Sequence, residues 1–593
     1  MKQLRHFTGK CINGSLTVWR AGKPHLRRAA IALTIVAILQ TLIFVFDPFG
    51  MEEAISARAS LVLQKVTAPF YHAWHQEGTI GRNKVTVVLI DQRYFDASAG
   101  GLPTKPVWPL PVSKLFGDVI DPIVKAKPRA LFIDIAFPDA PRETSPKSTN
   151  SRSDAVNKLA EGLRTSANSV PIYLSDVIVA TPDQEAETGS CRRFPGRDAD
   201  LQKSDVLAPD LNRLLFKRSP HHPPTKNLEV VDSAVGEGSA RYLLAPMAYM
   251  SPPASDPVAS AVRAKDICAR KGTIPTIASP ALALFHFFMA DCRRKSDELC
   301  THPGNLALDK LIQRPSLPEQ QIQGTGFRYY NLTDKAHGTL SPQWGVWLSH
   351  GMSKLYLGAQ NSGICRSQFY ASQLDSVRSY MLQIFGPVEH LFGQGTIQRC
   401  PFIDTISAAD LLDARLSDPN ATSGDPPEAV HDLLENRIVM LAANIPQAQD
   451  RFDSPVNGDI PGVYVHADAL ENLLTAGIRY RHADHGWAAT AGIFALVIVL
   501  IATMTAAWAK LCETLHAKLG AAGRFILAPI LYLVFVLAVS VTLGAWLFFK
   551  TDLPMADIAT PLIALHAILF GGYLEGMREY LRAKADKWWP EKT

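Results

Sequence analysis

Long apolar runs are the feature that most constrains how this chain can fold. Four runs approach the length at which a helix crosses the hydrocarbon of a membrane, and they lie at residues 29–46, 488–508, 525–549 and 555–573. A core helix of a soluble domain keeps one polar face, whereas these runs are apolar on all sides. We therefore predict four transmembrane α-helices, the first over 29–48 and the other three at the bounds just given.

Basic residues around these runs predict the orientation of the chain in a membrane. Residues 1–28 carry seven Lys and Arg side chains and no acidic one, and such segments stay in the cytoplasm. The segment 49–486 then lies outside the cytoplasm, and the basic tail 574–593 lies inside. A cleaved signal peptide is the alternative, but Asp47 and Pro48 stand where a cleavage site needs small residues. We expect a multi-pass protein of a bacterial inner membrane, with the lipid bilayer as a partner.

Cysteine usage agrees with an exported segment. Six of the eight cysteines fall between the first two predicted spans, and an oxidising periplasm permits disulfides. The disulfide candidates are Cys191, Cys268, Cys292, Cys300, Cys365 and Cys400. Sequence leaves many pairings open, and short spacing alone favours Cys292 with Cys300 and Cys365 with Cys400. A metal site is not predicted, because no CxxC or HxxxH spacing occurs.

Alternating strands and helices predict the fold of the exported segment. Residues 84–92 and 130–137 read as buried strands, and the apolar spacing over 112–126 predicts a helix between them. Such a unit pairs its strands in parallel through a right-handed crossover. A looser helix and strand follow at 153–167 and 170–180.

The remainder of the exported segment is less regular at first. Residues 181–320 are rich in Pro, Ser and charge, which predicts a large disulfide-bearing insertion. A strand at 327–332 reopens the core, and a strand at 436–443, a loop at 444–462 and a helix at 463–477 complete it. The predicted fold class is an α/β periplasmic domain, a mixed sheet with crossover helices and this insertion, plus the four transmembrane helices.

Several of these segments, taken in order, resemble a known family. "VTVVLIDQRYF", "WPLPVSKLFGDVI" and "RALFIDIAFPD" near the start, and "NRIVMLAANIPQAQDRFDSPVNGDIPGVYVHADALENLL" near the end, are similar to the CHASE sensory domains of type 2 of bacterial membrane receptors. One helix before the domain and three after it also match that family. The resemblance leaves 181–320 unmatched. It implies an extracytoplasmic sensor, and it puts Asp453, Pro455, Gly462 and His466 on family motif positions.

Two aspartates end predicted strands and are the first candidate site. If the strands that carry Asp91 and Asp134 are neighbours in a parallel sheet, both carboxylates face the crevice where open α/β sheets bind ligands. Paired carboxylates can hold a cation or share a proton. The structural alternative is that each carboxylate accepts backbone N–H bonds or caps the following turn.

A second set lies in the closing part of the domain. Asp450 and Asp453 lie in a loop before His466, and an Asp–His pair suits acid–base chemistry or metal binding, or simply fixes the turn. Trp108 either packs the first crossover or offers a ligand-stacking surface. No catalytic residue, metal or cofactor is predicted, and the ligand-binding candidates are Asp91, Asp134, Asp453, His466 and Trp108.

Three functions are compatible with these observations. The first is a non-enzymatic sensor that binds a ligand or protein in the periplasm and, as a homodimer, relays through its helices to a separate protein. About twenty residues follow the fourth span, too few for a catalytic output domain in this chain. The second is an assembly subunit of an envelope complex that uses the domain as a scaffold. A periplasmic hydrolase ranks last, and no nucleic-acid partner is expected.

Overall fold

The computed structural model divides the chain into two compact units, Gln64–Ala483 and a second made of Met1–Leu63 with Asp484–Thr593. The residues that it describes all belong to the first unit. They are 64, 68, 71, 81–106, 108–135, 151–176, 211, 215, 227–232, 242–244, 247–248, 275–295, 298–313, 329–332, 339–345, 402–417, 428–445, 450–454 and 456–481.

The four predicted membrane spans all lie outside these described residues. Within the ranges just given, no helix combines the length and the apolar character that a membrane crossing requires.

The described strands, in chain order, are β1 (Val85–Ile90), β2 (Ala130–Asp134), β3 (Ile172–Asp176), β4 (Leu228–Asp232), β5 (Tyr242–Leu243), β6 (Met247–Ala248), β7 (Pro275–Ile277), β8 (Ile312–Gln313), β9 (Tyr329–Leu332), β10 (Thr339–Leu340), β11 (Asp404–Ser407), β12 (Ile438–Ala443), β13 (Arg451–Ser454) and β14 (Gly458–Pro461).

The described α-helices are α1 (Gln92–Ser98), α2 (Val112–Lys114), α3 (Asp121–Lys125), α4 (Ser151–Ser169), α5 (Pro280–Lys295), α6 (Pro303–Leu311), α7 (Ala408–Ser417), α8 (Glu428–Leu434) and α9 (Val463–Ala476). A π-helical segment, Leu115–Ile120, joins α2 to α3, and short 3-10 turns lie at Arg82–Lys84, Glu298–Cys300 and Gly477–Arg479.

A six-stranded parallel sheet forms the centre of the domain. Its strand order is β11-β1-β12-β2-β3-β4, and every neighbouring pair is parallel. The predicted α/β class is therefore confirmed, but the predicted mixed sheet is wrong. The antiparallel pairs form separate small sheets instead, with orders β6-β7-β9-β8, β10-β5 and β13-β14. The strand expected at 327–332 is β9, which belongs to the first of these and not to the central sheet.

Helices cover both faces of the central sheet, because its strands alternate between two apolar sides. Val88, Leu131 and Val439 point into a cluster with residues of α1 to α4, α7 and α8. Their neighbours Phe132 and Met440 point into a second cluster with α5, α6 and α9. Both faces are therefore removed from water, which explains why the strands read as continuous apolar runs in the sequence.

Several described elements of the segment predicted as an insertion contribute to the core. Strand β4 extends the central sheet beside β3, and α5 packs in the same apolar cluster as α9. A disulfide joins Cys292 in α5 to Cys300, with 5.8 Å between their Cα atoms. It is one of the two pairs that short spacing favoured. The other four candidate cysteines, Cys191, Cys268, Cys365 and Cys400, lie outside the described residues.

Candidate functional site

Asp91 lies at the carboxyl end of β1 and acts as the cap of α1. Its Oδ1 accepts a hydrogen bond from the backbone N–H of Tyr94 at 3.2 Å and another from Oγ of Ser407 at 2.7 Å. Burial raises the pKa of Asp91, and these two hydrogen bonds oppose the rise. The carboxylate therefore satisfies an otherwise unpaired donor of the helix start.

Asp91 and Asp134 are not on adjacent strands, which corrects the expectation that they would form a pair. Strand β12 lies between β1 and β2, and the closing part of the chain supplies it. The order of the strands along the chain does not indicate that β12 lies between β1 and β2. The structure instead brings Asp134 together with His466, a member of the other predicted set.

Asp134 ends β2 on the face that α9 covers, and its side chain is 9 % exposed. Its Oδ2 lies 4.0 Å from Nε2 of His466. The side chain of Ser175, near the end of β3, forms a hydrogen bond with the Asp134 carboxyl group. Burial raises the pKa of Asp134 to about 6, and the bond from Ser175 opposes the rise. A carboxyl group with little water around it resists ionisation in this way.

His466 lies in the first turn of α9 between Asp134 and Tyr242. Nδ1 of His466 is 2.9 Å from the hydroxyl of Tyr242, and that hydroxyl accepts the backbone N–H of Ala281 at 3.4 Å. In the neutral tautomer that carries its hydrogen on Nε2, Nδ1 of His466 accepts from the Tyr242 hydroxyl, and Nε2 is the ring nitrogen nearest Asp134. The edge of the ring also meets the side chain of Phe132. Burial lowers the pKa of His466 to about 4, and the charge of Asp450 opposes the fall.

Asp450 is exposed and completes the cluster from the outer side. Its backbone oxygen accepts the N–H of Gly462 at 3.1 Å, and a Cβ on Gly462 would collide with the Asp450 carboxylate. The residue as a whole is exposed, but its carboxylate lies against Gly462 and loses part of its water there. This partial burial raises the pKa of Asp450 to about 6; the charge of Asp134 adds to the rise, and His466 opposes it. The glycine therefore permits the carboxylate to lie against the start of α9.

The two other sequence candidates lie elsewhere or are described in part. Trp108 is half-buried and packs against the apolar cluster on the opposite face of the sheet, with the crossover that it precedes. Asp453 lies in β13, opposite Asp459 of β14, and its predicted approach to His466 stays a prediction. Within the described residues, no group of three or more His, Cys, Asp or Glu side chains could hold a metal ion.

Sequence reasoning missed Tyr242 and Ser175. Tyr242 lies in a strand of two residues within the irregular segment, where neither periodicity nor turn chemistry marks it. Ser175 carried a weak signal, because it is one of the two polar residues that end an apolar strand. Only the folded chain brings both to His466 and Asp134.

A second buried polar cluster lies at the opposite, amino-terminal edge of the sheet. Asp404 begins β11 and accepts a hydrogen bond from Arg437 at 2.6 Å, and Nε of Arg82 lies 3.7 Å from its other oxygen. The Arg82 guanidinium also stacks over the ring of Phe402, 4.4 Å from its centroid. Burial lowers the pKa of Arg82 to about 10, and the charge of Asp404 opposes the fall.

The same edge contains the second half of α9. Glu471 accepts hydrogen bonds from the Tyr71 hydroxyl at 2.8 Å, from Asn472 at 2.9 Å and from Thr475 at 2.7 Å. Burial raises the pKa of Glu471, and those bonds oppose the rise. Asp468, one turn earlier, has its pKa raised well above the ordinary value by burial and by the charge of Glu471. Every residue from Val463 to Thr475 is buried, so α9 is a core helix that carries ionisable groups at both edges of the sheet.

Comparison with known proteins gives one match. A family model described as the CHASE2 domain matches residues 54–505, which is more than half of the chain and includes every described residue. No curated protein and no solved structure matches the chain significantly.

Proposed function

Because the chain belongs to the CHASE2 domain family, which consists of extracellular sensory domains, we propose that it is an inner-membrane, receptor-like sensor. Its domain binds a ligand or a protein in the periplasm, and its membrane helices relay the binding to a separate protein. The partners in this proposal are the lipid bilayer, one membrane or periplasmic protein and a second copy of the chain.

One observation carries the proposed binding role. The Tyr242–His466–Asp134 arrangement lies at the carboxyl edge of a parallel sheet, with Asp450 open to solvent beside it. This is the edge at which open α/β sheets bind ligands. Buried polar groups with shifted pKa values at such an edge are typical of functional sites. A catalytic role has less support, since a histidine with a pKa of about 4 is a weak general base at neutral pH.

Helix α9 supports the relay. His466 is in its first turn, and Thr475 lies nine residues later, about 14 Å along the helix axis. Near that end, Tyr71 donates to Glu471 and the N–H of Gly81 donates to Thr475 at 3.0 Å. A small shift of a packed helix is a common way to pass a change between two sites. A movement at His466 would therefore reach the segment that precedes β1.

The first test is affinity purification of the full-length chain from native membranes in mild detergent, followed by mass spectrometry. We expect one separate protein to copurify, and its recovery to change in Asp134→Ala. The matched control is Asp432→Asn, because Asp432 is an exposed aspartate of α8. Recovery of the chain alone, from wild type and both variants, would overturn the relay to a separate protein.

The same experiment distinguishes the assembly-subunit alternative. A scaffold would bring down a stoichiometric set of envelope proteins, and their recovery would not respond to Asp134→Ala. The described parts of 181–320 favour the sensor, because β4 and α5 serve the core of the domain. A segment added for docking would not need to supply core elements.

A further inference from the structure

We propose that the first turn of α9 is a proton-operated switch, in which Asp134 and Asp450 take up a proton on acidification and change how the helix start packs on the sheet. This inference rests on the proposed sensor function and names the stimulus as the proton itself, that is, acidification of the periplasm.

The geometry places two carboxylates at the first turn of α9, which carries one buried histidine. Asp134 reaches the turn from the end of β2, and Asp450 reaches it from the outside, against Gly462. His466 is 3 % exposed and lies in the turn itself. The helix start is therefore packed against groups whose charge can change, and one of them is in contact with solvent.

Among the described residues, the groups around the turn offer the two carboxylates hydroxyls, and the neighbouring cation is paired elsewhere. Strand β3 contributes the hydroxyl of Ser175, and β5 contributes the hydroxyl of Tyr242. The cation next in sequence, Arg451, binds Asp459 at 2.6 Å and the side-chain oxygen of Asn444 at 2.9 Å. The charge of Asp134 disfavours the ionised form of Asp450, and His466 opposes this effect only when it is protonated.

Like charges in one site resist simultaneous ionisation. Burial raises the pKa of Asp134 to about 6, and partial loss of water around its carboxylate, together with the charge of Asp134, raises the pKa of Asp450 to about 6. The pair therefore titrates as a unit, in a range that an exported domain meets when its medium becomes acidic. His466 stays neutral there, because burial lowers its pKa to about 4.

Proton uptake changes what the pair can do. Two carboxylates repel each other and accept hydrogen bonds only, whereas a protonated carboxyl group also donates one. Acidification thus removes the repulsion across the first turn and supplies a new donor. We expect the turn to be held more tightly at acidic pH, and α9 carries the change toward Glu471.

Hydrogen exchange of the full-length chain in mild detergent tests the switch. Peptides covering 450–466 are compared at about pH 5, 6 and 7.5, after correction for the intrinsic exchange rate. We expect protection to rise on acidification with a midpoint near pH 6 and by at most about tenfold per pH unit, the limit for one proton. The double variant Asp134→Asn/Asp450→Asn should lose this dependence, and Asp432→Asn should keep it.

A single variant keeps the test decisive if the double variant does not fold. Asp450→Asn removes the negative neighbour of Asp134, so the midpoint should move to lower pH. Wild-type protection that does not change with pH, or a midpoint in Asp450→Asn equal to that of the wild type, would overturn the switch.

Repeating the copurification at about pH 5 and 7.5 separates the switch from the sensor function. A partner retained equally at both values would overturn the switch and leave a sensor of another stimulus. Absence of any partner, together with the expected exchange profile, would overturn the relay and leave the switch.

Discussion

Asp134 lies where an ionised carboxylate is costly, and this gives a testable effect of pH on stability. Its pKa is raised from 3.8 to about 6 by burial, so the folded domain binds the proton more tightly than the unfolded chain. The stability that this contributes is present below about pH 3.8 and is lost as pH rises through about 6. Asp134→Asn should therefore raise the free energy of unfolding at pH 7.5 by up to about 3 kcal/mol, measured by urea denaturation.

The pKa of His466 shifts in the opposite direction, which supplies a second check on the Asp134→Asn variant. Its neutral form is favoured by folding, so its contribution is present above pH 6.5 and is lost as pH falls toward about 4. In the wild type the two trends offset each other. Asp134→Asn should thus lose stability on acidification more steeply than the wild type and meet it near pH 4. Equal stability of the two proteins at every pH would contradict the assignment, and Asp432→Asn controls for the loss of one negative charge.

Two glycines offer a matched pair for testing close packing. A Cβ added at Gly81 would lie 2.5 Å from the backbone oxygen of Glu471, whereas one added at Gly117 would meet no heavy atom within 4 Å. Gly81→Ala should cost about 1–3 kcal/mol, because the backbone of α9 would have to move. Gly117→Ala should be neutral or stabilising by up to about 1 kcal/mol. Thermal unfolding of the two variants tests this, and equal midpoints would show that Gly81 is not packed against α9.

At the scale of elements, the sequence was informative about helices and strands and less so about their arrangement. The continuous apolar runs predicted β1, β2 and β12 to within a few residues, because strands buried on both faces leave such a signal. The end of α9 was also predicted, because Gly477 follows its last apolar residues. The structure explains this glycine, since its φ of +58° is one that other residues rarely adopt. Strand order had no such signal, which is why Asp91 was expected beside Asp134.

The shortest elements were not predicted from the sequence. Strand β11 has four residues, DTIS, too short and too polar for a periodic pattern to indicate burial. The hairpin of β13 and β14 was expected to be a loop for the same reason. The candidate site combines one visible element, α9, with the two-residue β5, so sequence could identify His466 and Asp134 but not what joins them.

The polar bonds of α9 allow a test at the scale of one element. Tyr71→Phe removes a hydrogen bond to the buried carboxylate of Glu471 and should cost about 1.5–3 kcal/mol, the range for bonds to charged groups. In a Glu471→Gln background the same change should cost only about 1 kcal/mol, because the acceptor is then neutral. Urea denaturation of the four proteins of this cycle measures the coupling.

Tyr464→Phe is the matched control for that cycle. Tyr464 is also in α9 and donates to the hydroxyl of Thr405 at 3.0 Å, so it tests a bond that does not involve Glu471. Its cost should be the same with Glu471 or with Gln at that position. If Tyr71→Phe were equally additive, Tyr71 and Glu471 would not be coupled, and the path proposed from α9 to the segment before β1 would rest on the bond from Gly81 to Thr475 alone.

At the scale of the whole molecule, cysteine chemistry tests the predicted membrane topology. Cys292 and Cys300 form a disulfide, which an exported segment permits, while Cys11 and Cys512 fall on the predicted cytoplasmic side of the spans. In spheroplasts, a membrane-impermeant maleimide should label neither the disulfide-bonded Cys292 and Cys300 nor the cytoplasmic Cys11 and Cys512. Of these four cysteines, only Cys292 and Cys300 should become labelled on prolonged treatment with an impermeant reductant, because both are buried. Cys11 and Cys512 should react after lysis, as read by mass spectrometry. Labelling of Cys11 or Cys512 from outside would reverse the orientation inferred from the basic N-terminal segment, and the proposed exposure of Asp450 to periplasmic pH would fall with it.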